Sequence, residues 1–506
     1  MTILKRFFSP KLYKEALSQL RLPGFIMGGA LLAIMLLVIV ISKLTMSKFD
    51  FTDPAYPVYT TAWLFALIYL YTAPFIISLA AFNFLNSRKR CDFYHALPVH
   101  RSALFGSFAA GVFTWLVSTI LVAIFSSTIL AVALGAPFIF GELLRVLVVF
   151  IPGLLFAASA TMLAMSVSGT LFTNTVVTAL IVWLPALLRS LFTTGVTGYV
   201  PAMPESSVTL FGLQVNNLFV SPLWFITDYL YYFDSARDAL FQLLLSFLYT
   251  LIIALLYFVI AGFLFTKRKS EMAGSSAPNA RMQILYRIAV ALPPLVTFSV
   301  LNGLFGIDVI SSLLVAITLS LILLFAFELI TSRKWINLLR ALPSFGIALA
   351  IALLFTTLIW GVATYAGTFA PPADQIAWVQ VVKDREYLEY MSYDPELKPF
   401  RTLAKDAVQL DTETVREEAS KELRRVARIP TWGKSDPYGM DYYDDRWLGD
   451  RYPIELVIKV RTTFGRTELR IVTVAYENWN YRAAYHSEES AFELTPLGEA
   501  LIAATK

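Results

Sequence analysis

The chain has 506 residues, 57% of them hydrophobic and 15% charged, with a mean hydropathy of +0.64. That balance excludes a soluble globular protein of this size and points to a polytopic membrane protein. The formal net charge is +5, but the cations sit in short stretches beside apolar runs, where membrane topology accounts for them without a nucleic-acid partner.

Charge also divides the chain. Residues 1–370 carry 22 Lys and Arg against 12 Asp and Glu, whereas residues 371–506 carry 19 against 24. The last part therefore reads as a separate, soluble, mildly acidic domain. A single cysteine, Cys91, excludes an internal disulfide and a cysteine-based zinc site.

In chain order, residues 1–24 form an amphipathic lead-in. Ser9 is placed to cap a helix whose first residue is Pro10, with Leu12, Tyr13, Ala16, Leu17 and Leu20 on one face and Lys11, Lys14, Glu15 and Ser18 on the other. Such a helix lies in the membrane interface. The apolar run 25–42 lacks a small-x-small cleavage site and is read as the first span. Further spans are expected near 61–84, 106–134, 143–167, 172–193, 239–266, 284–304, 309–331 and 343–369, which makes about nine. The organisation expected is a lead-in over 1–24, a six-span unit over 25–275, three further spans over 276–370, and the soluble domain over 371–506.

With the N-terminus inside, the inner loops, with Arg287 at the following helix start, hold 17 Lys and Arg and the outer ones about five. An odd number of spans then puts residues 371–506 outside the cell membrane. The aromatic segment 218–233, interrupted by Pro222 and Asp228, fits an outer hairpin better than a tenth span. The outer domain reads as α/β. Alternation over 376–382 suggests a strand, 454–461 with 468–476 a hairpin around Thr463-Phe464-Gly465, and Asp411-Thr412-Glu413 opens a helix running to about Val426.

Catalytic motifs are absent from the sequence. Gly433-Lys434-Ser435 ends like a phosphate-binding loop, but Arg428 stands where its first glycine belongs, so the chain has no ATP site of that kind. There is no HExxH, and His95 and His100 lie on the opposite side of the membrane from His486, which excludes a shared metal site. No metal or cofactor is expected on this chain, and it is not read as an enzyme. The acidic and aromatic stretch 436–447 does not match a calcium loop and reads as solvated surface. Glu328 is the main ionisable residue inside a span. It admits two readings: a gate or partner for Arg333, or a carboxylate near the interface that snorkels outward.

The most informative stretch is 81–98, AFNFLNSRKRCDFYHALP, where an apolar run ends in a basic cluster and a short amphipathic segment before turning at Pro98. Residues 326–343, AFELITSRKWINLLRALP, repeat it 245 positions later with AF, SRK and ALP at identical spacing. The run Ala96-Leu97-Pro98-Val99-His100-Arg101-Ser102-Ala103-Leu104 resembles the cytoplasmic loop of type-2 ATP-binding-cassette exporter permeases, with His100 where the family often has a Ser-like cap. The segment Phe265 to Gly274 is similar to the run that closes the six-span unit of such permeases in Gram-positive bacteria, and the last three spans with the outer domain resemble the extension of Gram-positive permeases that carry a C-terminal extracellular domain.

That resemblance implies a multi-pass transport subunit powered by a separate cytoplasmic ATPase, which carries the ATP and Mg, and paired with a second permease copy or paralogue. It implies a coupling helix in which Phe93 and Leu97 fill an apolar groove on the ATPase and Arg88, Lys89, Arg90 and Arg101 ring it. In the repeat, Arg333, Lys334, Trp335 and Leu338 would form a second coupling loop, unless that segment simply lies on the membrane surface. The cargo class implied is a lipid, an amphipathic peptide or a cell-wall-related molecule, with contacts from Phe113, Trp115, Trp183 and Phe192. The alternative is a non-transporting mechanotransmitter or antibiotic sensor acting through the outer domain.

Overall fold

The computed structural model describes residues 7–46, 48, 58–200, 203, 208–210, 213–214, 236–305, 309–382, 398–406, 408–427, 451–478 and 492–504. The segment 218–233, the sequence 428–447 and His486 lie outside them. In chain order the helices of the first part are α1 (Pro10–Gln19), α2 (Arg21–Thr45), α3 (Val58–Ala81), α4 (Arg88–His95), α5 (Arg101–Ala133), α6 (Phe140–Val167), α7 (Leu171–Tyr199), α8 (Ala236–Lys267), α9 (Ala280–Phe305), α10 (Val309–Ser332) and α11 (Asn337–Gly367). Two two-residue strands, β1 (Thr209–Leu210) and β2 (Leu213–Gln214), pair between α7 and α8.

Eight of the described helices, α2, α3, α5, α6, α7, α8, α10 and α11, contain stretches long and apolar enough to cross a membrane. The chain is therefore a multi-pass, mostly helical protein, and the eight coincide with eight of the nine expected spans. The remaining one, expected at 284–304, forms α9, which carries Pro293 and Pro294.

By compactness the chain divides into two units. One holds residues 1–187, 219–291 and 323–345; the other holds 188–218, 292–322 and 346–506. Within the first, α1 packs against α5, where Gly111 leaves no room for a side chain: a Cβ there would lie 2.9 Å from the Cβ of Ala16. As the amphipathic pattern requires, Ala16 and Leu20 are buried. Ser9 precedes α1 in extended geometry but does not cap it by its side chain; its N–H donates instead to Ser107 Oγ at 2.8 Å. α6 is the most enclosed span, packed against α3 and α8 and lined by small residues such as Ala158, Ser159 and Ala160 that permit close approach.

The C-terminal region contains β3 (Ile376–Val381), α12 (Lys398–Asp406), β4 (Gln409–Leu410), α13 (Glu413–Val426), β5 (Arg451–Thr462), β6 (Thr467–Asn478), β7 (Phe492–Leu494) and α14 (Pro496–Ala503). The five strands form one antiparallel sheet in the order β4-β3-β5-β6-β7. The hairpin forms where the alternation placed it, and it turns at Gly465, whose φ of +85° suits a residue without Cβ. Val379, Val381, Ile458, Val460, Val472 and Val474 form a core with Phe400, Leu403, Val415, Leu423, Leu497 and Leu501 of the three helices. Pairing a sheet with helices in this way is what an independent hydrophobic core needs.

Candidate functional site: the loop at 83–101

The loop is built from a 3-10 turn at Asn83–Asn86, the helix α4, and a turn that delivers His100 to the start of α5. Ser87 is extended (φ −128°, ψ 124°), and its carbonyl accepts from the Cys91 N–H at 2.8 Å, so the Ser-Arg-Lys tripeptide opens a helix. His100 occupies the cap position of α5 through its backbone alone: its carbonyl accepts from Ala103 and Leu104, and its side chain makes no capping bond. A histidine there therefore leaves the helix start at Arg101 unchanged.

α4 has two faces. The inner one buries Cys91 and lays Tyr94 against Phe84, with ring centroids 4.4 Å apart, and edge-on to Phe108. His95 stands edge-on to Phe265 near the end of α8. The outer face carries Lys89, Arg90 and Phe93, and Phe93 is 64% exposed. Leu97 is half-buried in the turn that follows. It lines a groove of about 740 Å³ together with Pro98, Val99 and His100 on one side and Phe8 to Lys11 on the other.

The four cations expected to ring Phe93 fall into two pairs. Lys89 and Arg90 are exposed on α4. Arg88 Nε instead donates to the Ala273 carbonyl at 3.3 Å, and Arg101 Nη1 donates to the carbonyls of Thr266 and Arg268 at 3.3 and 2.8 Å. Two cations thus fasten the loop to the turn after α8, and two face outward.

The residue that organises this region is Arg268, the middle one of the Lys267-Arg268-Lys269 run. It is 2% exposed, and its guanidinium donates to the carbonyls of Met165, of Ser168 at 2.6 Å and of Leu85 at 2.9 Å. The physical reason lies at the end of α6, whose last carbonyls have no partner within the helix and carry its negative dipole end. Ser168 Oγ takes the Ala164 carbonyl, Arg268 takes Met165, and the Tyr286 hydroxyl takes Val167 at 3.1 Å. Arg268 therefore acts as a side-chain cap that also reaches the 3-10 turn leading into α4. Among the described residues no carboxylate pairs with it, and burial lowers its pKa to about 10, which leaves it charged at neutral pH.

Backbone bonds reinforce the same junction. Gly169 N–H donates to the Ser275 carbonyl at 3.1 Å, and Gly274 N–H donates to the Gly169 carbonyl at 2.8 Å. A side chain at Gly169 would run into the Met272 carbonyl, and Gly274 has a φ of +87°. Asn174 joins through Asn86 Oδ1 at 3.0 Å. Burial raises the Cys91 thiol pKa, with the Arg268 charge opposing, and lowers that of His95, with Arg101 and Arg268 adding to the effect.

The second stretch, 326–343, does not fold as a copy of the first. Its Ser-Arg-Lys closes a helix: Ser332 is the last residue of α10 and Arg333 has φ +55°. No helix equivalent to α4 follows, and Pro343 lies within α11, whereas Pro98 lies in a turn. Trp335 is 74% exposed, and Leu338 is half-buried. Glu328 neither snorkels outward nor pairs with Arg333. It is 1% exposed and meets Arg287 of α9 in a two-bond pair, Nε to Oε2 at 2.8 Å and Nη2 to Oε1 at 2.7 Å. A planar guanidinium matches a carboxylate in this way, which removes the need for water.

The aromatic residues expected to touch cargo are spread over separate contacts. Phe113 packs on Phe258, Trp115 on Phe25, Trp183 on Tyr71 and Phe192 on Phe355. Among the described residues no cluster of His, Cys, Asp and Glu could hold a metal ion.

A second capped helix end lies in the other unit. Arg470 of β6, 2% exposed, donates to the Ala366 carbonyl at 2.6 Å and to Glu468 Oε2 at 3.1 Å, while Arg466 donates to the Tyr365 carbonyl at 3.2 Å. Both guanidiniums lie near aromatic faces, Arg466 at 4.0 Å from Tyr365 and Arg470 at 5.1 Å from Phe369. Burial holds the Arg470 pKa below its ordinary value, with Glu468 pulling the other way. The sheet thereby grips the end of α11.

Compared with models of known protein families, with curated proteins and with solved structures, the chain matches none.

Proposed function

We propose that this chain is the membrane subunit of an ATP-driven exporter, and that the 83–101 loop is where a separate cytoplasmic ATP-binding-cassette ATPase docks. The observation that carries this reading is the division of labour on α4. Its outer face offers Phe93, Lys89 and Arg90, while the loop that carries it is tied through Arg88, Arg101 and Arg268 to the ends of α6 and α8. A displacement applied at Phe93 would reach several spans at once, because hydrogen-bonded, packed elements move as rigid bodies. In this reading the N-terminus and the loop are cytoplasmic, the C-terminal domain is extracytoplasmic, and a second permease copy or paralogue completes the path for a lipid, an amphipathic peptide or a cell-wall-related molecule. ATP and Mg belong to the ATPase.

A second reading, a mechanotransmitter without cargo, is favoured by the grip of Arg466 and Arg470 on the end of α11, since it links a span stiffly to the sheet. Affinity purification of the detergent-solubilised chain, co-expressed with its genomic neighbours, tests the shared first step. Wild type is expected to recover a soluble ATPase, and Phe93→Asp with Leu97→Asp to lose it while remaining folded. Failure of wild type to recover any ATPase removes the motor from both readings. If the ATPase is recovered, ATP-dependent movement of cargo across proteoliposomes by the wild-type complex favours the first reading, and ATP hydrolysis without any cargo movement favours the second.

A further inference from the structure

The turn after α10 and the start of α11 present four large apolar side chains: Trp335, Ile336, Leu339 and Leu342, the first three each more than 70% exposed. Beside them stand Arg333, Lys334 and Arg340, whose cationic groups make no hydrogen bond or ion pair among the described residues. No acidic residue occurs between Glu328 and Asp374. The same helix start buries Ala341 and Ser344 on its other side, so the surface is one-sided.

Two observations indicate what covers it. α10 and α11 are both long and apolar enough to cross a membrane, so the short turn joining them sits where hydrocarbon gives way to headgroups. The apolar stripe also continues along α11, where Leu353 and Leu354 are exposed on the side of Leu339 and Leu342. A stripe continuous with a lipid-facing span has the bilayer as its natural neighbour. Phe93, by contrast, stands on a separate helix.

We propose that this turn binds anionic phospholipid headgroups, with Trp335 and Ile336 at the hydrocarbon boundary and Arg333, Lys334 and Arg340 on the phosphates. An indole prefers that boundary because it is apolar with a single N–H to place in the headgroup layer. Unpaired cations held next to a bilayer favour an anionic leaflet and do so less as salt rises. The left-handed backbone at Arg333 ends α10 within one residue, keeping the cations close to the Trp335 indole. The inference does not depend on the transport reading.

The test uses the full chain reconstituted in bilayers containing spin-labelled phosphatidylglycerol or spin-labelled phosphatidylcholine at equal mole fraction. Trp335 emission is isolated from that of the other tryptophans by subtracting Trp335→Phe. The anionic label is expected to quench Trp335 about threefold more than the zwitterionic one. The preference is expected to vanish at about 1 M salt and in the Arg333→Gln, Lys334→Gln, Arg340→Gln variant, and to survive Arg333→Lys with Arg340→Lys. Equal quenching by both labels in wild type overturns the proposal. So does protection from both labels, which assigns the surface to a protein. The salt series on wild type keeps the proposal falsifiable if the triple variant fails to insert.

Discussion

The loops at 81–98 and 326–343 share eight of eighteen residues at identical spacing, yet the same Ser-Arg-Lys tripeptide starts a helix in one and stops a helix in the other. What separates them is their surroundings. In the first, Cys91 and Tyr94 find an aromatic floor in Phe84 and Phe108, and Arg268 supplies a buried cation that fixes the 3-10 turn ahead of the helix. In the second, Trp335 and Ile336 have no such floor among the described residues, and the chain passes within four residues into the next span. Each loop nevertheless rests on one arginine: the buried Arg268 on carbonyls for the first, the partly buried Arg287 on the Glu328 carboxylate for the second. A local sequence pattern supplies only a weak preference, and tertiary contacts decide between helix start and helix stop.

The largest effect is expected from removing the first arginine. Arg268→Met deletes three charge-assisted bonds and leaves the carbonyls of Met165, Ser168 and Leu85 without it, which at about 1.5–3 kcal/mol per bond to a charged group, and with incomplete additivity, costs on the order of 3–5 kcal/mol. Thermal unfolding in detergent measures it. Cys91, the sole cysteine and buried, reports where the damage falls. The Arg268 charge favours the thiolate, so its loss alone slows alkylation; faster maleimide labelling in the variant therefore means that α4 has come away. Labelling no faster than in wild type, with an unchanged melting temperature, would show that the loop holds without this arginine.

The second loop offers the matching experiment. Glu328→Gln leaves the partly buried Arg287 cation without its carboxylate, at about 3 kcal/mol, whereas replacing both by Met removes the charges together and is expected to recover most of that loss. A single variant no worse than the double one would place the pair in contact with water. The contrast with Arg268, which has no carboxylate to remove, sharpens the difference between the two anchors.

Much of this was legible from the residues. Hydropathy located eight of the spans, alternation located the β5–β6 hairpin and β3, and the Asp411-Thr412-Glu413 signal located α13. Which face of the 88–95 helix turns inward was not legible: Cys91 is buried and Phe93 exposed because Phe84 and Phe108 supply the floor. The two anchoring arginines were not legible. Arg268 sits in a Lys-Arg-Lys run that satisfies the topology rule by itself, and nothing local says that its acceptors lie 100 and 183 positions away. Glu328 and Arg287 are 41 positions apart on different helices, so the nearer Arg333 looked the natural partner. The repeat misled because matching residue types at matching spacing do not carry the φ of residue 333.

A smaller, pH-dependent effect is expected at α4. His95 is held below its ordinary pKa of 6.5 by burial, helped by the charges of Arg101 and Arg268. A histidine kept neutral in the folded state binds fewer protons there than when released, so its contribution is present above about 6.5 and is lost as pH falls below it. Amide exchange along α4, corrected for the intrinsic pH dependence, should therefore rise between pH 7 and about 5.5, while exchange at the start of α11, which has no histidine, should not. A rise confined to wild type and absent in His95→Phe assigns it to this ring.

The smallest effects carry the comparison furthest, because the same substitution is expected to act with opposite signs at equivalent positions. Arg333 holds φ +55°, a conformation that costs an L side chain roughly 1 kcal/mol and costs glycine nothing. Arg333→Gly relieves that cost, and the greater freedom of glycine in the unfolded chain offsets only part of it, so the variant should be more stable by a few tenths of a kcal/mol. Arg88, the equivalent residue of the first loop, is the first residue of a right-handed helix and donates to the Ala273 carbonyl. Arg88→Gly loses that bond and weakens the helix, so it should be less stable by about 1–2 kcal/mol. Paired melting curves in one detergent decide the matter. Shifts of opposite sign mean that the two tripeptides sit in opposite backbone hands, and a loss of stability in both would mean that the second loop starts its helix as the first one does.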